Sequence, residues 1–305
     1  MNKPVLIQAM LCLVLNSSQA QSFTEKISKT YSFEKKGSQN AVMVFNINGN
    51  VTIEGTSGDQ VLVEVEKTIR GKTDARLALG KEKIQLGVMD LADTLILYVK
   101  GTGAEFSRNS KRKGPEAGGW GYQWERNWNG NNDNDNEDDR DEFEYTLNFK
   151  IKIPSSVHIM ASTINNGDVV VSGTRGLVQT RNVNGHIRIK DITGGTLAHT
   201  INGNVDIDYA SNPKQDCRYY TLNGDIHVYF PTTVSGSMAF KSFNGDLYTN
   251  IEPLTPLPAV VTKKESEKGI KLKVEKERFR MRGDGPLLDV ETFNGDAYLK
   301  EMINK

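Results

Sequence analysis

One short unit recurs along this chain and restricts its fold more than any bulk property does. Asn-Gly stands at Asn48-Gly49, Asn166-Gly167, Asn184-Gly185, Asn202-Gly203, Asn223-Gly224, Asn244-Gly245 and Asn294-Gly295. The residue after Gly is Asn50, Asp168, His186, Asn204, Asp225, Asp246 or Asp296, so it is short and polar or His. Two apolar residues spaced by one then follow, as in Val169/Val171, Ile187/Ile189, Val205/Ile207 and Ile226/Val228. The copy at Leu247 departs, with Thr249 in the second slot. An apolar residue precedes Asn in every copy except the one where Asn165 stands. Asn and Gly accept positive φ at low energy, so each pair marks a tight turn. Apolar residues two apart place one face of a strand in a core.

From Asn166 to Asn244 the turns are 18, 18, 21 and 21 residues apart. A near-constant period of about 20 residues signals stacked units, none able to bury its apolar face alone. Two architectures satisfy it. In a β-solenoid each period is one coil and equivalent Asn side chains form a ladder. In an up-and-down meander each Asn-Gly is a two-residue hairpin turn. The solenoid is preferred, because only one corner per period is strongly marked and the other varies among Gly173, Gly194-Gly195, Asn212-Pro213 and Gly236. The class expected is all-β: a right-handed β-helix-like solenoid with a long inserted loop.

Residues 1–20 read as a signal peptide. Lys3 gives the positive start, Val5 to Leu15 an apolar run, and Ser18-Gln19-Ala20 the small residues before a cut. The run is short for a membrane span, and no later stretch is apolar enough, so no transmembrane segment is expected after cleavage. The product is expected to be secreted, in the periplasm or at the cell surface. Cleavage removes Cys12 and leaves Cys217 without an internal disulfide partner. Lys and Arg together equal Asp and Glu, 38 each, so no net field recruits nucleic acid.

Residues 21–155 are expected to form the N-terminal strands of the same domain. Residues 21–40 read as a ragged lead-in strand. Phe143 to Ile153 alternates apolar with polar residues over eleven positions before Pro154 ends it. Inside this region, residues 101–142 form an insert of a different kind, rich in Gly, Asn and Asp and expected to be largely disordered in isolation. Residues 156–305 read as the repeat region. An excursion at 252–286 holds a charged strand pair over Lys263–Arg282, a turn at Gly283-Asp284-Gly285-Pro286, and then a last unit expected to cap the stack.

The chain resembles the bacterial putative-adhesin family. The residues that carry the resemblance are Phe149-Lys150-Ile151-Lys152-Ile153-Pro154, then Ala161 to Val169, the serial Asn-Gly units, and Gly283 to Pro286 followed by Thr292-Phe293-Asn294-Gly295-Asp296. The resemblance covers roughly residues 40–300 without the insert. It implies a right-handed β-helix-like stack in a secreted or envelope protein of unknown function, and it offers no catalytic residues to carry over.

Candidate chemistry is sparse. Asp168, Asp225, Asp246 and Asp296 could line one edge of a stack as a cation site or a glycosidase pair, but His186 and Asn204 interrupt the row. The reading taken is that these residues hydrogen-bond their own turns. Asp133, Asp135 and Glu137 alternate as calcium ligands do, yet the run lacks the Gly and terminal Glu of a calcium loop, so a solvated acidic linker is preferred. The four histidines make no metal-ligand spacing, and no cofactor is implied. Trp120, Trp124 and Trp128, the only tryptophans, all sit in the insert. They either stack on a ligand or fold back to cover an open end, and both readings stay open. The function expected is a non-enzymatic adhesin or binding scaffold, with a surface glycan or an envelope protein as partner. The alternatives are a β-helix polysaccharide-active enzyme and an envelope-stress or regulatory module.

Overall fold

A computed structural model describes residues 21–102, 105–108, 120–123, 143–266, 269–274 and 276–302. The signal segment, Trp124, Trp128, Asp133, Asp135 and Glu137 lie outside the described residues.

The N-terminal part contributes β1 (Gln21–Tyr31), β2 (Ala41–Phe45), β3 (Val51–Thr56), β4 (Val61–Gly71), the helix α1 (Asp74–Lys83), β5 (Gln85–Asp90) and β6 (Thr94–Lys100). A small hairpin, β7 (Glu105–Arg108) with β8 (Trp120–Gln123), precedes the long strand β9 (Phe143–Pro154). The repeats then supply β10 (His158–Ser162), β11 (Val169–Ser172), β12 (Val178–Arg181), β13 (Ile187–Ile192), β14 (Thr196–Asn202), β15 (Val205–Tyr209), β16 (Cys217–Asn223), β17 (Ile226–Phe230), β18 (Ser235–Lys241) and β19 (Leu247–Thr249). The excursion holds β20 (Thr255–Pro256), the hairpin β21 (Val261–Ser266) with β22 (Gly269–Val274), and β23 (Glu277–Arg280). The final elements are β24 (Arg282–Asn294) and β25 (Ala297–Glu301).

The protein is all-β with two large mixed sheets. Sheet A runs β1-β4-β9-β3-β11-β13-β15-β17-β25-β19, and sheet B runs β20-β23-β18-β24-β16-β14-β12-β10-β2-β6-β5. Each repeat gives one strand to sheet B, turns at Asn-Gly, and gives the next to sheet A. Equivalent residues of successive repeats pair in parallel and in register, for example Ile187 with Val205 and Val205 with Ile226. A hairpin meander would require antiparallel partners across each Asn-Gly, so that alternative is excluded. The core lies between the sheets. Val169, Val171, Ile187, Ile189, Val205, Ile207, Ile226 and Val228 fill it from sheet A, all at 0% exposure.

Several expectations need correction. The last unit is not a cap: β25 lies between β17 and β19, and β24 between β16 and β18. The chain therefore leaves after β19, makes its excursion, and returns to insert its final unit one layer inward. The apolar content explains the order. Leu288, Val290, Ala297 and Leu299 are at 0% exposure, whereas the displaced unit has Thr249 where others place an apolar residue. The more apolar unit takes the position covered on both sides.

The lead-in is not ragged, because β1 pairs with β4 along all eleven of its residues. Helix α1 was not expected. Thr73 Oγ1 accepts from Arg76 N at its start and Lys81 and Lys83 lie in its last turn, but its apolar residues are too few to show a period. The charged strand pair spans Val261–Val274 rather than Lys263–Arg282, and β23 leaves it to join sheet B. Gly283 to Pro286 lies within β24 as a bulge, where the register jumps from Ser235–Arg282 to Ser237–Leu287.

Candidate functional site

The Asn-Gly corners are built from three hydrogen-bonded rows and a fourth row of closely stacked glycines, all running from unit to unit. In the first, carboxamides stack. Asn184 Nδ2 donates to Asn165 Oδ1 at 3.0 Å, Asn202 to Asn184, Asn223 to Asn202, Asn294 to Asn223 and Asn244 to Asn294, each at 2.8 Å. The row uses Asn165, not Asn166. Asn166 is an extra residue at φ 55°, which is why the apolar position before Asn-Gly seemed broken there.

In the second row, the residue after Gly accepts from the backbone N–H of its counterpart in the next unit. Asp168 Oδ1 accepts from His186 N at 2.8 Å, His186 Nδ1 from Asn204 N at 2.9 Å and Asn204 Oδ1 from Asp225 N at 3.1 Å. Asp225 Oδ1 then accepts from Asp296 N, and Asp296 Oδ1 from Asp246 N, both at 2.9 Å. This corrects the reading that these side chains bond their own turns. It also explains why His is admitted, since its Nδ1 places an acceptor near where Asp and Asn place Oδ1.

In the third row, a side chain two residues before the ladder Asn donates to the glycine carbonyl of the previous unit. Thr163, Thr200, Thr221 and Thr292 bond Gly49, Gly185, Gly203 and Gly224, and Asn182 bonds Gly167. The fourth row is the glycines. A Cβ on Gly203 would lie 2.2 Å from Gly185 O, and one on Gly224 2.2 Å from Gly203 O, so the corners stack too closely for any side chain. The polar position two before the ladder Asn is visible in the sequence as Thr163, Asn182, Thr200, Thr221 and Thr292, but apolar periodicity does not reveal it.

The rows are closed at one end. Leu147 N donates to Asn48 O at 2.9 Å and Asn148 Oδ1 accepts from Asn50 N at 3.0 Å, while burial pushes the pKa of Tyr145 on the same strand up to about 12. Asp168 also pairs with Arg188. Burial alone would raise its carboxyl, but the His186 N–H and Arg188 more than offset that and hold it below the usual carboxylate range.

The insert is rooted on the outer face of sheet B. Phe106 of β7 stacks on Tyr98 of β6 at 4.2 Å between ring centroids and meets Phe45 of β2 at 5.1 Å. Trp120 stands on β8 opposite Arg108. Sequence reasoning singled out the tryptophans and missed Phe106 as the anchor. The same face carries a charge cluster further along, where Lys276 bonds Asp289 and Glu291, and Arg218 lies 3.5 Å from Asp289. Burial would raise Glu291, but the Lys276 hydrogen bond and charge, with Lys241 and Arg218, pull its pKa below the ordinary value.

A cleft of about 480 Å³ opens on sheet A where β1, β4, β9, β3 and β11 adjoin. Lys26, Glu64, Glu66, Lys150, Asn50 and Asp168 line it. Lys26 is opposite Glu66 and Glu64 is opposite Lys150, so its charges alternate across the strands. Cys217 is buried, with its Sγ 3.3 Å from the Tyr209 hydroxyl. Among the described residues, no cluster of three or more His, Cys, Asp or Glu could hold a metal, and no helix is long and apolar enough to cross a membrane.

No protein-family model matches the chain, and no curated protein matches it. Two solved structures resemble it weakly. A putative cell adhesion protein from Clostridium sporogenes is 10% identical at a TM-score of 0.38, covering 92% of this chain and all of that one. A putative adhesin from Bacteroides fragilis is 11% identical at a TM-score of 0.31, covering 91% of this chain and 97% of that one. At such scores neither likeness bears on function.

Proposed function

We propose that this chain is a secreted, non-enzymatic binding scaffold of the cell envelope. On this reading the two sheets form a right-handed β-helix-like solenoid of roughly 20-residue coils, and the 101–142 insert makes the contact. The in-register parallel pairing of consecutive units supports the solenoid. The contact role rests on one observation above the rest: Phe106 seats the insert on Tyr98 and Phe45, so the tryptophan-bearing segment departs from a rigid face. The polar side chains at the corners are engaged in holding coil to coil, and the insert brings all three tryptophans and a run of charged groups that can be spent on a ligand. The partner class is a cell-surface glycan or an envelope protein.

Tryptophan emission of the mature protein tests this, because Trp120, Trp124 and Trp128 report from the insert alone. The expected result is quenchable, red-shifted emission that moves to the blue with one surface glycan or envelope extract and not with others. Emission that is already blue, protected and unmoved by any of them would mean that the tryptophans cover the protein's own core, and the contact role would fall.

A further inference from the structure

The rows that join the units are directional, and they end unequally. Leu147 and Asn148 of β9 close the first end. At the other, the unit Ser242–Thr249 is the last, and β19 is the edge strand of sheet A. Every bonding position that interior units use toward their next neighbour is turned outward there. Asn244 Nδ2 is spent on Asn294, which leaves Asn244 Oδ1 as a free acceptor among the described residues. Asp246 N is spent on Asp296, which leaves the Asp246 carboxylate in the same position. Gly224 N donates to Asn294 O and Ile226 N to Asp296 O. Gly245 and Leu247 are their equivalents and have no neighbouring strand on that side among the described residues, so their N–H groups point off the end. Two rings complete the edge. Phe243, 73% exposed, stacks on Phe293 with one face, and Tyr248, 46% exposed, stacks on Tyr298 with one face. Among the described residues no ring stacks on their other faces.

We infer that this end is a docking site for an extended polypeptide strand that carries the chain's own kind of unit: a polar residue, an apolar or aromatic residue, Asn, Gly and Asp or Asn. Such a strand would run parallel to β19. Its Asn would donate to Asn244 Oδ1, its residue after Gly would donate N–H to Asp246, and its Thr would donate to Gly245 O. The protein already contains one such docking. The unit at Asn294 is separated by 71 residues from Asn223 and by 50 from Asn244, yet it sits between them on matched rows. Chain continuity is therefore not needed for one unit to dock on another through these rows, and the open edge continues that same interface. A second copy meeting end to end fits less well, because Asn244 Oδ1 and the Asp246 carboxylate would face the same acceptors on its partner.

The test uses the full mature chain and a labelled peptide of residues 289–301, which contains Thr292 and Phe293-Asn294-Gly295-Asp296. Fluorescence anisotropy is expected to show saturable binding, at least tenfold weaker for a scrambled peptide. Leu247→Pro removes an outward N–H from an edge strand and is expected to abolish binding while the melting curve stays cooperative. Phe243→Lys/Tyr248→Lys, at exposed side chains, gives an independent variant that should weaken binding at least tenfold. Absence of saturable binding would overturn the inference. So would equal binding to both variants, which would mean that the peptide exchanges into the inner slot instead. Displacement by surface oligosaccharides but not by unlabelled peptide would also overturn it and reassign the edge to glycans.

Discussion

Two buried threonines that look alike should respond oppositely to the same substitution. Thr221 is at 0% exposure and its Oγ1 donates to Gly203 O at 2.8 Å. Thr221→Val replaces the hydroxyl with a methyl and strands that carbonyl, at a cost of about 1–3 kcal/mol. The buried methyl returns at most about 0.8 kcal/mol, so the net loss should be about 1–2 kcal/mol. Thr180 is at 1% exposure, and its buried Oγ1 has no partner among the described residues. Thr180→Val removes an unmet donor and should be neutral or stabilising by up to about 1 kcal/mol. The two variants should then differ by about 2 kcal/mol, or about 3 °C in Tm for a chain of this size. Urea denaturation followed by circular dichroism reads the difference directly, and Thr221→Ser should recover most of the loss. Equal effects at the two sites, or a neutral Thr221→Val, would refute the claim that the third row bears on stability.

Other outcomes follow from the same rows. Asn202→Asp sets an acceptor against Asn184 Oδ1 where Nδ2 now donates at 2.8 Å. The folded protein favours the protonated form of such an Asp, so the variant should gain stability relative to Asn202→Ala as pH falls toward about 4 and keep that gain unchanged below it; parallel acid titrations of the two would expose the error. Asp168 and Glu291 have lowered pKa values, so their contribution is present above the unfolded values and lost as pH falls through the folded ones. Asp168→Asn/Glu291→Gln should therefore flatten the loss of stability below about pH 4, and an unchanged acid limb would count against it. Gly224→Ala puts a Cβ 2.2 Å from Gly203 O at φ 148° and should cost about 1–3 kcal/mol in a melting comparison, with no loss at the open position Gly37 as control.

Much of this fold could be read from the chain, for a physical reason. Asn-Gly followed by apolar residues two apart states a corner and a half-buried strand in nine residues, as His199 to Ile207 does, and those interactions are local. The order of the units could not be read. Insertion of Arg282–Glu301 between two earlier units depends on a comparison of apolar content across the whole stack, and only Thr249 hinted at it. The direction of the Asp bonds was equally hidden, because Asp168 bonding its own turn and Asp168 bonding His186 18 residues on have the same local sequence. Helix α1 was lost because it packs only a few apolar side chains. Of the candidate site, the sequence showed the tryptophans but not Phe106, because its ring partners Tyr98 and Phe45 come side by side only through the pairing of β6 with β2, which lies far off in sequence.

The most direct measurement replaces residues 109–142 with a short Gly-Ser linker and leaves Phe106 in place. Thermal melting and binding to intact cell envelopes are then recorded on the same preparation. The scaffold reading predicts an almost unchanged Tm and loss of envelope binding. A protein that no longer melts cooperatively, or that binds envelopes as before, would contradict it.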